Sequence, residues 1–348
     1  MMKHLSLFMA FSLIGLFSCK GYKDLPADAF ETMLSEDGTA QLVDVRTPEE
    51  YAAGHIPGAI NIDWFADDFI DKAKASLTTD RPVMVYCRSG KRSAKAAWKL
   101  DGNEFRTYNL LGGYLGWTEA GKRTTTYEAE RFCTPSGKAV TITLIKHGSF
   151  EISFGGKSVQ IDPVSGLGRP TDYAAEFPKA DFILVTHEHH DHFDPEAISA
   201  LTDEKTVLVT NARCAGMLGR GTALANGESY SDGILSVDAV PAYNTTEGHL
   251  QFHPKGRDNG YVLTLDGLRI YIAGDTEDIP EMSQIKDIDV AFLPCNQPYT
   301  MTVDQLAKAA KTIKPKVLFP YHYSDTPINK VKLLLGGTGI DVRIRNYQ

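Results

Sequence analysis

Phe182-Ile183-Leu184-Val185-Thr186-His187-Glu188-His189-His190-Asp191-His192 decides the fold, because an apolar run ends abruptly in a cluster of metal-binding side chains. Four of the chain's ten histidines fall within six residues, a concentration that a solvated loop has no reason to carry. The run 182–186 has the composition of a buried strand. Beyond its end, residues two apart point the same way, so His187 and His189 can grip one ion while Asp191 and His192 serve a second. Imidazoles with a carboxylate suit borderline divalent metals rather than calcium, with zinc first and manganese or iron as alternatives.

One cluster cannot complete two coordination shells, so further ligands are expected at the ends of other strands. Asp275 closes the run Leu268-Arg269-Ile270-Tyr271-Ile272-Ala273-Gly274, where an alternating strand meets a glycine turn. His322 follows Val317-Leu318-Phe319-Pro320-Tyr321, and His253 lies in Phe252-His253-Pro254-Lys255-Gly256 ahead of a strand from Tyr261 to Leu265. Strand ends of an α/β sheet converge on one edge, where ligand sites form.

With these residues in order, 138–348 resembles the metallo-β-lactamase fold, whose hallmark is H-x-H-x-D-H followed by a distant His, Asp and His. The resemblance implies an αββα sandwich holding two divalent cations. His187, His189 and His253 would bind the first, and Asp191, His192 and His322 the second, with Asp275 bridging. His249, four residues before His253, is the alternative for that position. Phe252–Gly256, Ala273-Gly274-Asp275-Thr276 and Tyr299-Thr300-Met301-Thr302 resemble a hydrolase branch related to the ascorbate-lactonase group. Asp162, in Val159-Gln160-Ile161-Asp162-Pro163, matches a supporting aspartate that orients a ligand histidine. Such a pair of ions lowers the pKa of water toward neutrality, which implies hydrolysis of a small molecule with Asp191 or Asp275 taking a proton. Tyr243, Tyr299, Tyr321 and Asn296 lie near strand ends, where they either touch substrate or pack.

A second constellation lies upstream. The strand-like Arg81-Pro82-Val83-Met84-Val85-Tyr86 runs into Cys87-Arg88-Ser89-Gly90-Lys91-Arg92-Ser93 and then a helical segment from Ala94 to Leu100. Backbone N–H groups curled before a helix form an anion-binding nest, and Arg88, Lys91 and Arg92 add positive charge. Both effects favour a thiolate at Cys87. Leu42-Val43-Asp44-Val45-Arg46, Gly54-His55-Ile56-Pro57-Gly58-Ala59-Ile60-Asn61 and Leu111-Gly112-Gly113-Tyr114-Leu115-Gly116-Trp117 accompany it.

Together these make 23–122 resemble a rhodanese domain, a parallel sheet with flanking helices. Strands Gln41–Val45 and Arg81–Tyr86, separated by a helix from Trp64 to Ser76, suit that architecture. The resemblance implies a persulfide on Cys87, loaded by a sulfane-sulfur donor such as thiosulfate and passed to a thiol or cyanide. Cysteine phosphatases of related fold place five residues between cysteine and arginine, whereas only four separate Cys87 from Arg92, so phosphoryl chemistry is disfavoured. A rhodanese half that only docks partners is the non-catalytic alternative.

The amino terminus bears on compartment. Lys3 and His4 precede an apolar run from Leu5 to Phe17, too short to span a bilayer comfortably, and Leu16-Phe17-Ser18-Cys19 follows. This resembles a bacterial lipoprotein signal. It implies removal of residues 1–18, lipidation of Cys19 and attachment to a membrane outside the cytoplasm, in the periplasm or at the outer membrane. The formal net charge of -8 argues against nucleic acid as a partner.

At 348 residues with 43% apolar content, the chain suits two globular domains joined by a polar, turn-rich linker at 123–137. A helix from Val303 to Lys314 fits the second. Cys133, Cys214 and Cys295 show no zinc-like spacing, and Cys295, ending Val290-Ala291-Phe292-Leu293-Pro294, reads as a packing residue. The favoured reading joins a metal-dependent hydrolase to a sulfurtransferase. The alternative couples the halves as a persulfide dioxygenase, which needs one iron.

Overall fold

A computed structural model describes residues 21–346, so the expected lipidation site Cys19 lies outside the described residues. The first domain is a five-stranded, wholly parallel sheet. Its strands run in the spatial order Lys23–Leu25, Thr107–Leu110, Val83–Tyr86, Gln41–Asp44 and Ile60–Asn61. Both faces are covered, as parallel sheets require. Phe30 and Trp117 seal one side, while Phe69, Ala96 and Leu100 seal the other.

The helix expected from Trp64 runs only over Phe69–Ser76. Asp63 accepts the Phe65 N–H at 2.9 Å, a local turn that competes with helix at this point. The strand expected from Arg81 begins at Val83, because Pro82 has no N–H to give a ladder.

The second domain contains two seven-stranded sheets packed face to face. Spatial order in the first is Thr222–Ala223, Val207–Thr210, Phe182–Leu184, Lys157–Ile161, Ser149–Phe154, Ala139–Lys146, Ala129–Cys133. The other runs Ser229–Ser231, Leu235–Ala242, Asp258–Leu265, Leu268–Ile272, Val290–Pro294, Val317–Tyr321, Asp341–Val342. Each sheet follows its chain through three antiparallel pairings and then three parallel ones, so one topology is used twice. Phe150, Ile152, Leu263, Ile270, Phe292 and Phe319 fill the space between the sheets, with Phe292 stacked between Phe150 and Phe319. Helices lie outside both sheets, giving four layers. Val303–Ile313 is started by a Thr302/Gln305 capping box and buries Leu306 and Ala310 on its own sheet. Pro195–Leu201 covers the opposite face.

The stretch expected to be a linker, 123–137, is built into the fold. Ala129–Cys133 pairs antiparallel with Ala139–Thr143 and becomes an edge strand. Thr125 pairs with His55 through two backbone bonds of 2.8 Å, and Gly38 donates to Gly137 at 2.7 Å, so both ends of this segment are tied to the first domain. No helix among the described residues is long and apolar enough to cross a membrane.

Candidate active site

The chemistry-bearing residues all leave the ends of strands at one edge of the sandwich. His147 follows Ala139–Lys146, the 187–192 cluster follows Phe182–Leu184, and His322 follows Val317–Tyr321. His253 sits in the loop before Asp258–Leu265, and Asp275 lies just past Leu268–Ile272. Gly274 makes that last turn possible at φ 63°, because a Cβ there would stand 2.8 Å from the Asn259 carbonyl oxygen. His147, Asp162 and His322 also hold positive φ (47°, 42° and 49°), a conformation that costs side-chain-bearing residues energy and concentrates at functional sites.

Two groups of potential ligand atoms result, each within 4.8 Å: His147, Asp191, His192 and His322, and His187, His189, His253 and Asp275. Asp275 joins them. Its carboxylate lies 3.2 Å from His192 Nε2, 3.3 Å from His322 Nε2, 3.4 Å from His253 Nε2 and 3.8 Å from His187 Nε2. Asp191 Oδ2 stands 3.3 Å from both His322 Nε2 and His147 Nε2. Among the described residues, the Nε2 atoms of His187, His192, His253 and His322 are buried without a hydrogen-bonding partner. Orphaned buried nitrogens aimed at a shared carboxylate suit divalent cations and suit little else.

The far sides of the His187, His192 and His253 rings are fixed. His192 Nδ1 donates to Asp162 Oδ2 at 2.8 Å, and Thr186 Oγ1 donates to the same oxygen at 2.7 Å while receiving His187 Nδ1 at 3.0 Å. One buried aspartate therefore orients a ring in each group. His253 Nδ1 donates to Asp258 Oδ2 at 3.0 Å, and Arg257 holds Asp258 in turn. With Nδ1 protonated, a neutral ring presents its Nε2 lone pair inward.

Charge balance follows the same lines. Burial pushes His187 well down and His147 down to about 4. Burial also opposes charge on His322, yet Asp275 and Asp191 overcome it and raise that ring to about 9. Burial would raise Asp191, but bonds from His147 and His322 hold its carboxyl far below the usual range.

The structure brings together all seven residues expected as ligands, with Asp162 behind them. His253 occupies the position for which His249 was the alternative; His249 turns instead to Glu277, 3.4 Å away. His190 is exposed and takes no part. His147 was missed by sequence reasoning, although it ends a strand just before Gly148, whose missing Cβ leaves room for the His192 ring at 2.7 Å. Tyr321 is fully buried and bonds Gly274, Tyr243 bonds Glu281, and Cys295 lies in the core, so all three pack. Tyr299 is 44% exposed and meets Phe252 edge-on at 4.9 Å.

In the first domain, Cys87 ends the strand Val83–Tyr86 and its thiol is buried. Ser93 Oγ lies 3.4 Å from Cys87 Sγ, and the Cys87 and Arg88 carbonyls receive the Tyr114 and Leu115 N–H groups. Gly90 at φ 85° starts the helix Lys91–Asp101. Arg88 and Lys91 are exposed at the loop. Arg92 is close enough to act on Cys87, but its guanidinium makes two 2.7 Å bonds to Glu50, so its charge is largely compensated.

This fold and paired His/Asp site define a metal-dependent hydrolase of the metallo-β-lactamase fold, preceded by a rhodanese-like domain. Residues 141–322 match the Beta-lactamase superfamily domain and 26–120 the Rhodanese-like domain. The chain belongs to the first of these families over its second half and carries the other ahead of it. A UPF0173 metal-dependent hydrolase of Pyrococcus abyssi is 32% identical over 198 residues, 54% of this chain and 86% of the relative. One from Ligilactobacillus salivarius is 33% identical over 195 residues, 53% of this chain and 86% of that protein. A crystal structure described as a metal-dependent hydrolase from Parabacteroides distasonis is 55% identical, covering 64% of this chain and all (100%) of that one, with a TM-score of 0.62.

Proposed function

We propose that the second domain hydrolyses a small molecule at a dinuclear centre, and that the first transfers sulfur through a Cys87 persulfide. The observation that supports the hydrolase half best is the Asp275 carboxylate, shared between two four-residue groups. Zinc is the first choice of metal, with manganese or iron behind it. Two such cations would supply Lewis acidity and bring the pKa of water toward neutrality. His187, His189 and His253 would hold one, and His192, His322 and Asp191 the other, with Asp275 between.

Asp191 is placed to take a proton from the attacking water, because its side chain is 21% exposed whereas Asp275 is 3% exposed. His147 Nε2, 3.3 Å from Asp191 Oδ2, is placed to hold that carboxylate in position. Two complete groups favour two ions over the single iron of a persulfide dioxygenase.

Metal analysis of the purified chain tests this. Two zinc or manganese ions per chain, turnover in a screen of esters, lactones, phosphodiesters and amides, and no oxygen uptake on glutathione persulfide support hydrolysis. One iron with rapid uptake reverses it. A His187→Ala/His322→Ala double variant with unchanged metal content removes the ligand assignment.

For the first domain, Cys87→Ser abolishes thiosulfate:cyanide transfer and leaves metal content unchanged; retained transfer means the nucleophile is elsewhere. We further propose that Cys19 is lipidated and tethers the chain to the cell envelope outside the cytoplasm. Cys19→Ser then releases the chain to the soluble fraction and stops incorporation of labelled fatty acid.

A further inference from the structure

A groove of about 430 Å³ on the first domain is lined by Tyr22, Trp64, Ala94, Lys95, Trp98 and Lys99. Trp98 is 67% exposed there, and Phe65, next to Trp64, is 65% exposed. Large apolar groups gathered on one exposed face mark a contact with another protein or with a membrane. The cations favour the membrane. Lys95 and Lys99 lie one turn apart on the helix Lys91–Asp101, and Lys91 extends the same row. Among the described residues no carboxylate comes within ion-pair distance of Lys95 or Lys99; Lys99 Nζ stands instead 5.7 Å from the centroid of the Trp64 ring and 5.9 Å from that of Phe69. Asp63 accepts the Phe65 N–H and Asp68 pairs with Lys72, so both are engaged away from the row, and Asp67 and Asp101 stand against its three lysines. In a chain of net charge -8, lysines without counter-charges among exposed tryptophans are the composition of a surface that meets anionic lipid.

Chain geometry points the same way. Tyr22, in the wall of the groove, is three residues after Cys19. Three residues reach about 11 Å at most, so acyl chains attached at Cys19 would enter a bilayer beside this groove and not at the far side of the domain.

We propose that this face of the first domain lies on an anionic bilayer, with Trp64, Phe65 and Trp98 at the level of the headgroups and Lys95 and Lys99 on the lipid phosphates. The orientation rests on the proposed lipidation of Cys19; the aromatic and basic side chains supply a second, independent contact. Amphipathic side chains of this kind bury their apolar bodies in the interface and keep their polar ends in water. Because the helix Lys91–Asp101 begins at the Cys87 loop, the sulfur site then works close to the lipid surface.

Tryptophan emission of the full chain, incorporated into vesicles of phosphatidylethanolamine and phosphatidylglycerol brominated near the headgroup end of the acyl chains, tests the contact. Bromine quenches tryptophans that touch lipid, and Trp117 is buried, so the quenchable emission belongs to Trp64 and Trp98. The wild type is quenched, and Trp98→Phe loses about half of that quenching. With phosphatidylglycerol in place of phosphatidylcholine the wild type is quenched more, whereas Lys95→Gln/Lys99→Gln shows no such gain; an equal gain in the variant overturns the role of the lysines. Incorporation of labelled fatty acid at Cys19 is read in parallel. Label without quenching overturns the face and keeps the anchor; quenching without label keeps the face and removes the anchor; the absence of both overturns both. A mass that rises with concentration while emission stays unquenched gives the groove to a second copy of this chain and overturns the proposal.

Discussion

His192 Nδ1 and Asp162 Oδ2 lie 2.8 Å apart in a fully buried pair, and the same carboxylate reaches His187 through Thr186. Asp162 therefore controls a ring in each ligand group while belonging to neither group. Asp162→Asn keeps the shape but loses the anion that fixes both tautomers. The expected result is a fall of about 10–100-fold in metal affinity, read by competition with a chromogenic chelator. Affinity within twofold of wild type would mean that packing alone holds the rings.

His147 tests whether the second group needs its fourth member. Its ring lies 3.8 Å centroid to centroid from that of His322, and Nε2 is 3.3 Å from Asp191 Oδ2. His147→Ala is expected to lower the retained metal from two ions toward one after gel filtration, because Asp191 loses the ring that positions it. Two ions retained with reduced turnover would instead assign His147 to proton handling; two ions with full turnover would remove it from the site.

Much of this was legible from residue order. H-x-H-x-D-H after an apolar run fixes the fold, because few environments tolerate four imidazoles so close. Asp275 and His322 were visible because each ends a strand-like run. His147 was not, since a single histidine after Ile145-Lys146 carries no spacing signal until the second sheet brings His322 against it. The edge strand Ala129–Cys133 was read as linker for a similar reason: its five residues alternate only weakly, and pairing with Ala139–Thr143 rather than intrinsic propensity makes them a strand. Arg92 illustrates a third gap, because its partner Glu50 is 42 residues away.

His55 at the domain junction gives a pH dependence. It is buried, stacked on Tyr51 at 3.8 Å, and its Nδ1 donates to the Tyr51 carbonyl at 3.1 Å. Burial lowers its pKa below the ordinary 6.5. The unfolded chain therefore takes up a proton first as pH falls, so stability is full above pH 6.5 and declines below it until the folded ring also titrates. Every other histidine of the unfolded chain also takes up a proton in this range, so the difference between wild type and His55→Gln carries the information. Between pH about 7.5 and 5.5, the Tm of the wild type should fall more steeply than that of the variant. Parallel curves would place the His55 pKa at its ordinary value.

Gly113 permits the Cys87 loop to close. It holds φ 57°, and a Cβ there would stand 2.4 Å from the Cys87 carbonyl oxygen, 2.6 Å from the Gly90 nitrogen and 2.8 Å from the Ser89 nitrogen. All three are backbone atoms, which cannot swing aside as a side chain would. Gly113→Ala must therefore either open the loop or strain the turn, at a cost of about 1–3 kcal/mol or more. If Cys87 works through the curled N–H groups of this loop, the variant loses sulfur transfer although every polar side chain there is intact. Metal content in the second domain should not change, which separates a local loop effect from global unfolding. Full thiosulfate:cyanide transfer by a folded Gly113→Ala protein would show that the tight closure seen here is dispensable for the thiol's chemistry.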